Sequence, residues 1–204
     1  KPSSAASDVY KRQVGMSLLS GNDDKSKRNG DPTNPLLAAY NTPYEVPPFH
    51  LIKNEHFKPA LLEGIKIHQQ EIDAIANNPA KPTFDNTILA LENSGQLLNR
   101  VSTVFSNLSS ANTNDQLQAI AQEMAPISSK HNDNIYLNEK LFARVKAVWD
   151  ARKTLKLTPE QSRLLEKKYK AFVRSGANLS DADKEKLRKI NGELSLLSLS
   201  LIHI

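Results

Sequence analysis

The chain has 204 residues, enough for one or two hydrophobic cores, and its hydrophobic content of 39% with only 6% aromatic residues favours an aliphatic, helical core over a β-sandwich. The absence of cysteine excludes a disulfide framework and a thiolate metal site. The formal net charge is +5, and part of it comes from the two ends of the chain. The mixed charge pattern does not indicate nucleic-acid binding.

The first predicted helix follows a lead-in stiffened by three prolines within residues 41–49, which favour extended or turn conformations. We expect Asn54 to cap this helix and Asn77 to lie near its end, with Pro59 tolerated in the first turn. Its buried side is predicted to comprise Phe57, Leu61, Leu62, Ile65, Ile72 and Ile75.

A second, long helix is predicted to start at a Thr83 cap and to continue through Leu108. Its apolar positions are Ile88, Leu91, Leu98, Val101, Phe105 and Leu108. Gly95 lies inside this run, and we expect it to weaken the helix by about 1 kcal/mol relative to alanine without ending it.

Three further helices are predicted. Asn112 or Asn114 opens one whose stripe is Leu117, Ile120, Met124, Ile127 and Ile135, with a kink expected at Pro126. Asn138 starts the next, with Leu141, Val145, Val148 and Trp149 facing inward. Thr158, Pro159 and Gln161 form the clearest capping signal of the chain, for a helix that ends at Gly176.

A last helix is predicted from Ser180, with Asp181 and Asp183 placed favourably at the positive end of its dipole. Strand signals are weak throughout, since alternation of apolar and polar residues never persists. The predicted fold class is therefore all-α.

Several segments resemble the peptidyl-dipeptidase branch of the thimet oligopeptidase family, which are zinc metallopeptidases that trim short peptides. The resemblance rests on NPLLAAYNTPYEVPPFHLIKNEHFKPALLEGI from Asn34, on PTFDNTILALENSG up to Gly95, on 129–150 and on 157–198. It implies that 34–198 is the N-terminal helical region of a mostly helical, neurolysin-like metallopeptidase. In the full-length enzyme that the resemblance implies, which we call the parent, this region would form part of a channel wall. The partners of the region would be short peptide substrates and the catalytic domain of the same chain.

The zinc motif of such peptidases is absent from this sequence. In the motif His-Glu-x-x-His, two histidines one helical turn apart hold the metal and the glutamate acts as general base. None of the histidines at 50, 56, 68, 131 and 203 is followed by glutamate and then by histidine at this spacing. By resemblance the parent uses zinc, yet no catalytic, cofactor-binding or metal-binding residue is assigned here. The chain alone is expected to be inactive and to bind no cofactor.

Both ends of the chain read as translated sequencing adapters. Residues 3–13, SSAASDVYKRQ, translate one frame of a common transposase tagging adapter, and 199–204, LSLIHI, translate the reverse complement of its transposase end. We therefore expect residues 1–13 and 199–204 to be adapter translation, the catalytic domain being absent. Setting aside 1–13 leaves 24 basic and 21 acidic residues, a formal net charge of +3.

Residues 14–33 combine a short apolar stretch, VGMSLLSG, with a polar linker, NDDKSKRNGDPTN. We interpret this as the end of a signal peptide and a tether, which favours a periplasmic or secreted location, with a cytoplasmic one as the alternative. No segment is long enough to span a bilayer.

Five histidine or carboxylate positions are candidate sites. His68 and Glu71 share a helix face at a spacing seen in metal-binding bundles, but without a second ligand set an ordinary solvated face is the expectation. His56 is interpreted as a capping or packing residue. His131 and Asp133, near Tyr136, are interpreted as part of a solvated helix face.

A basic run interleaved with aromatic residues, around Tyr169 and Phe172, is interpreted as a core stripe with Lys167, Lys168 and Lys170 outside, not as a stacking platform. The alternative to a peptidase fragment is a self-contained helical bundle that acts as a protein-interaction module. If the chain is a self-contained bundle, its core should be fully buried within residues 54–198. If it is a peptidase fragment, apolar residues of the last helix should be exposed, including Leu194, Leu196 and Leu197.

Overall fold

A computed structural model describes residues 33–202 and the side chains of residues 33–198. The predictions for residues 1–13, for 14–32 and for the last two residues lie outside this range. Within it, a lead-in precedes seven α-helices: α1 Phe57–Ala76, α2 Ala90–Asn93, α3 Gln96–Ala111, α4 Asp115–Tyr136, α5 Glu139–Asp150, α6 Pro159–Arg174 and α7 Asp181–Ile202. No strand occurs in this part of the chain, and the predicted all-α class is confirmed.

Local capping chemistry places most helix starts where the sequence predicts them. The side chains of Asn114, Asn138 and Thr158 each accept a hydrogen bond from the backbone N–H three residues on. Thr158 and Gln161 form the expected reciprocal capping box, and the Ser180 hydroxyl accepts from the Asp183 N–H at 3.3 Å. These are short-range interactions, which is why the sequence alone locates them.

The predicted cap at Asn54 is wrong. His56 Nδ1 instead accepts a hydrogen bond from the Lys53 N–H at 3.0 Å, which confirms His56 as a capping residue. The Asn54 side chain donates to Asn114 Oδ1 at 3.1 Å, sixty residues away, and so joins the starts of α1 and α4. Such a distant partner leaves no local sequence signal.

The predicted long helix from Thr83 to Leu108 is also wrong. Thr83 caps it as expected, and a π-helical segment, Phe84–Leu89, leads into α2. The helix is interrupted after α2, because Ser94 is extended and Gly95 adopts a left-handed φ of 71° before α3 begins. The helix is thus divided in two, and the break turns α3 onto a different path from α2.

Helix α4, by contrast, continues through Pro126 from Asp115 to Tyr136. The predicted stripe is confirmed there, with Leu117, Ile120, Met124 and Ile135 buried and Ile127 partly buried against the core. In α1 the prediction fails at Leu62, which is exposed, while its neighbour Leu61 is buried.

The apolar core consists of two clusters. The first, which we call the lead-in cluster, joins the start of α1 to α3 and the start of α4 through Leu36, Phe57, Ala60, Leu61, Val101, Val104, Leu117, Ile120 and Met124. The second, the α5–α6 cluster, joins the end of α1 to the π-helical segment, α5 and α6, and includes Ile72, Phe84, Ile88, Val145, Val148, Leu165 and Phe172. Helices α1 and α4 contribute to both clusters and so connect them.

Helix α7 is attached differently, since neither cluster contains any of its described side chains. It packs along α4, and polar bonds join it to α4 and to the start of α5. Lys184 Nζ donates to Glu139 Oε1 at 2.7 Å, and Asn191 Nδ2 donates to Asp133 Oδ1 at 2.7 Å. Leu187 rests against Gly176, whose φ of 92° ends the preceding α6 segment.

Candidate functional site

Polar side chains from three parts of the chain meet at the boundary between the two apolar clusters. On α1, His68 lies between the residues of the lead-in cluster and those of the α5–α6 cluster, and His131 has the same position on α4. The break at Ser94 and Gly95 separates α2 from α3 at the same level. We call His68, His131, Ser94, Gly95 and Glu71 the histidine junction.

Hydrogen bonds connect every member of the junction. His131 Nε2 lies 3.0 Å from His68 Nδ1, and His68 Nε2 lies 3.2 Å from Ser94 Oγ. Ser94 Oγ donates to the Leu91 carbonyl at 2.9 Å. The Gly95 N–H donates to Glu71 Oε2 at 2.7 Å. The junction therefore holds the helix break to α1 and α1 to α4.

We assign the tautomers of both imidazoles from the bond of the Ser94 hydroxyl to the Leu91 carbonyl. Because the Ser94 hydroxyl donates its proton to Leu91, it must accept from His68 Nε2–H. His68 Nδ1 is then a bare acceptor, so the bond from His131 requires a proton on its Nε2. The result is one directed chain, from His131 through His68 and Ser94 to the Leu91 carbonyl.

The environment of the junction favours neutral imidazoles. Burial lowers the pKa of His68 below its ordinary value, and the charge of Lys168 lowers it further. Burial also lowers the pKa of His131, with a contribution from His68. Lys168 itself pairs with Glu92 at 2.7 Å.

The structure corrects two predictions here. His131 and Asp133 were expected on a solvated face, but they are only 4% and 7% exposed. His68 and Glu71 were also assigned to an ordinary solvated face, yet both bond to the helix break. The sequence carries no local signal for these contacts, because His68 and His131 are 63 residues apart and Glu71 and Gly95 are 24 residues apart.

As a metal site, the junction is a poor fit. No three His, Cys, Asp or Glu side chains within the described residues are grouped so that they could hold a metal ion together. The facing nitrogens of His68 and His131 are already bonded to each other. Nothing in the described range therefore offers the ligand set that a zinc peptidase needs.

The aromatic stripe of α6 packs inward as predicted and Lys167 and Lys170 are exposed, but Lys168 is half-buried and pairs with Glu92, so the prediction is wrong for this lysine. Leu165 and Phe172 are buried, and Tyr169 stacks on Trp149 at 4.6 Å between ring centroids. The outward side forms an open groove of about 290 Å³, lined by Arg163, Glu166, Lys167, Lys170, Ala171 and Arg174. Glu166 pairs with Arg163 and Lys170, so part of the positive charge is neutralised within the groove.

A surface of a different kind lies on α7. Ile190, Leu194 and Leu197 share one face of this helix and are 56%, 56% and 61% exposed. We call these three residues the α7 apolar face; Leu196 is exposed beside it. The exposure expected for a fragment is observed, and it counts against a bundle whose core is fully buried.

None of the helices within residues 33–202 combines the length and the hydropathy that crossing a lipid bilayer requires.

No protein-family model matches the chain. Over 165 residues, or 81% of its length, it is 46% identical to Dipeptidyl carboxypeptidase of Escherichia coli (strain K12) and 45% identical to the protein of that name from Salmonella typhimurium. Oligopeptidase A of Escherichia coli is 25% identical over 165 residues. In each case the match covers 24% of the relative, so the chain spans about a quarter of the length of these curated relatives.

Proposed function

Because this chain is related to Dipeptidyl carboxypeptidase, and more distantly to Oligopeptidase A, we propose that it is the N-terminal helical part of a zinc metallopeptidase that hydrolyses short peptides. The sequence identity of 46% is the observation that carries the proposal. The relationship itself is consistent with a fragment of a thimet oligopeptidase-family enzyme, as the resemblance predicted.

In the proposed parent, these helices form part of the wall of a narrow channel, and the reaction releases dipeptides from the C-terminus of the substrate. A channel wall would exclude folded proteins by size and admit short, extended peptides. The zinc and the groups that activate water would lie in the rest of the parent, since the described residues offer no fitting ligand set. Residues 1–13 and 199–204 would be adapter translation and no part of this wall.

The α7 apolar face supports this proposal. A helix held to its neighbour by polar bonds while leucine and isoleucine point outward is expected where a further part of the protein packs on the other side. Covering such side chains would contribute about 1.5–3 kcal/mol for each one that becomes fully buried.

The genomic sequence that follows the codon for Ser198 tests the proposal directly. We expect an open reading frame that departs from LSLIHI and later encodes His-Glu-x-x-His followed by a further glutamate. The parent encoded there is expected to release dipeptides from short peptides and to lose this activity on treatment with a metal chelator, while the 204-residue chain shows none. A stop codon soon after Ser198 would contradict the proposal and favour a free-standing helical module.

A substitution in the α7 apolar face gives an independent prediction. Leu194→Ser in the 204-residue chain is expected to change the free energy of unfolding by no more than about 0.5 kcal/mol, because the side chain is already exposed. The same change in the parent is expected to cost about 1–3 kcal/mol, since the side chain would there be covered. Urea denaturation of both proteins measures the difference.

Leu165→Ser is the matched control, because Leu165 is buried in the α5–α6 cluster in this chain. It is expected to destabilise both proteins strongly, by about 3–5 kcal/mol. Equal effects of Leu194→Ser in the chain and in the parent would show that nothing covers the α7 apolar face.

A further inference from the structure

The histidine junction carries an inference that does not depend on the proposed peptidase activity. It is the place where two otherwise separate apolar clusters meet, and its central bond joins two imidazoles, the side chains whose ordinary pKa lies closest to neutral pH. A change of protonation there acts on α1, α4 and the helix break at once, because the bonds of His68 to His131 and to Ser94 join these three parts.

A single proton can be accommodated. If His68 gains a proton on Nδ1, His131 can move its own proton to Nδ1 and accept the bond at Nε2, so the 3.0 Å contact survives. The bond from His68 Nε2–H to Ser94 is unaffected by this exchange. A single positive charge is therefore unfavourable in this buried environment, but it breaks no hydrogen bond.

A second proton cannot be accommodated. Both facing nitrogens would then carry hydrogen, the bond between them would be lost, and two imidazolium ions would stand in contact. Gly95 limits the movement of the His68 ring on one side, since a Cβ atom added there would lie 2.9 Å from the ring.

The two carboxylates that lie close to the imidazoles along α1 and α4 form their hydrogen bonds with other groups. On α1, Glu71 is engaged by the Gly95 N–H, and on α4, Asp133 is engaged by Asn191 of α7. From α6, Lys168 adds a further positive charge, and its partner Glu92 on α2 already pairs with it. Burial, the charge of Lys168 and the contact between the two rings thus oppose double protonation.

We propose that the histidine junction is a pH-sensitive lock, which joins α1, α4 and the Ser94–Gly95 break while at most one imidazole is charged and releases the break when both are. Above the ordinary imidazole pKa of about 6.5 the lock is fully engaged. As the pH falls below this value the unfolded chain binds protons that the folded junction resists, so stability is lost on acidification. The slope is about tenfold in the folding equilibrium constant per pH unit for each proton excluded.

The test compares urea denaturation of the 204-residue chain between pH 7.5 and pH 5, a range that avoids most carboxylate titration. For the unaltered chain, the folding equilibrium constant is expected to fall by up to about tenfold for each pH unit just below pH 6.5. The fall is steeper where the folded junction excludes both protons. The double variant His68→Gln, His131→Gln is expected to show a much flatter dependence. His50→Gln, which removes an exposed histidine of the lead-in, is the matched control and is expected to retain the full dependence.

A second measurement does not require the variant to fold. In the unaltered chain, hydrogen exchange of the Gly95 amide reports on its bond to Glu71. We expect its protection to fall on acidification in step with the imidazole titration followed by NMR, ahead of amides in the centre of α5. An unchanged protection of Gly95 down to pH 5, or an equal pH dependence in the double variant, would overturn the proposal.

Discussion

Replacing Gly95 by alanine is expected to lower the free energy of unfolding by about 2–5 kcal/mol. The left-handed φ of 71° costs a residue with a Cβ atom about 1–2 kcal/mol. The new methyl group would also lie 2.9 Å from the His68 ring, and overpacking of this kind costs about 1–3 kcal/mol. Urea denaturation at pH 7.5 measures the loss.

Gly192→Ala is the matched control, because a Cβ atom at Gly192 meets nothing within 4 Å. Gly192 lies inside α7, so alanine there is expected to raise the stability by up to about 1 kcal/mol through its better helix propensity. If Gly95→Ala were instead neutral or stabilising, the continuous helix predicted from the sequence would be the better description of residues 83–108.

Replacing Arg144 by alanine is expected to cost about 2–4 kcal/mol. This arginine of α5 is 7% exposed, and its Nη1 donates to the Asn78 carbonyl at 2.7 Å and to the Ala80 carbonyl at 3.0 Å. Its Nη2 donates to Asn86 Oδ1 at 3.0 Å. Removing the guanidinium takes this partner away from the Asn78 and Ala80 carbonyls, at about 1–3 kcal/mol for each that stays buried, while Asn86 Oδ1 keeps its bonds from the Thr83 N–H and the Thr87 hydroxyl.

Lys146→Ala on the same helix is the control for Arg144. Lys146 is exposed and pairs with Asp150 one turn away, an interaction worth about 0.5 kcal/mol or less. Thermal unfolding of both variants compares the two positions directly. Similar small losses would show that Arg144 does not hold the loop before the π-helical segment to α5.

The helices were predictable because their boundaries depend on neighbouring residues. Asn114, Asn138 and Thr158 each satisfy a backbone N–H three residues away, so the cap and its partner are visible in one short stretch of sequence. The inward stripe of α5 follows from helical periodicity in the same way, and all four predicted residues pack in the core.

The break at Gly95 was not predictable by this reasoning. A glycine inside an apolar helical pattern is compatible with a continuous helix, and its propensity cost is small compared with the free energy of core packing. The deciding interactions come from α1, where Glu71 binds the Gly95 N–H and His68 binds Ser94. They join residues more than twenty positions apart, which periodicity does not relate.

The sequence by itself determined the all-helical class, most helix starts and the relationship to peptidases, because these depend on local hydrogen bonds, on periodicity and on residue identity. Only the tertiary structure decided that the long helix is broken, that His68 meets His131 across 63 residues, and that α7 turns Ile190, Leu194 and Leu197 outward. The physical reason is that the conformation of a glycine, the protonation of an imidazole and the burial of a leucine depend on neighbours that the fold brings together.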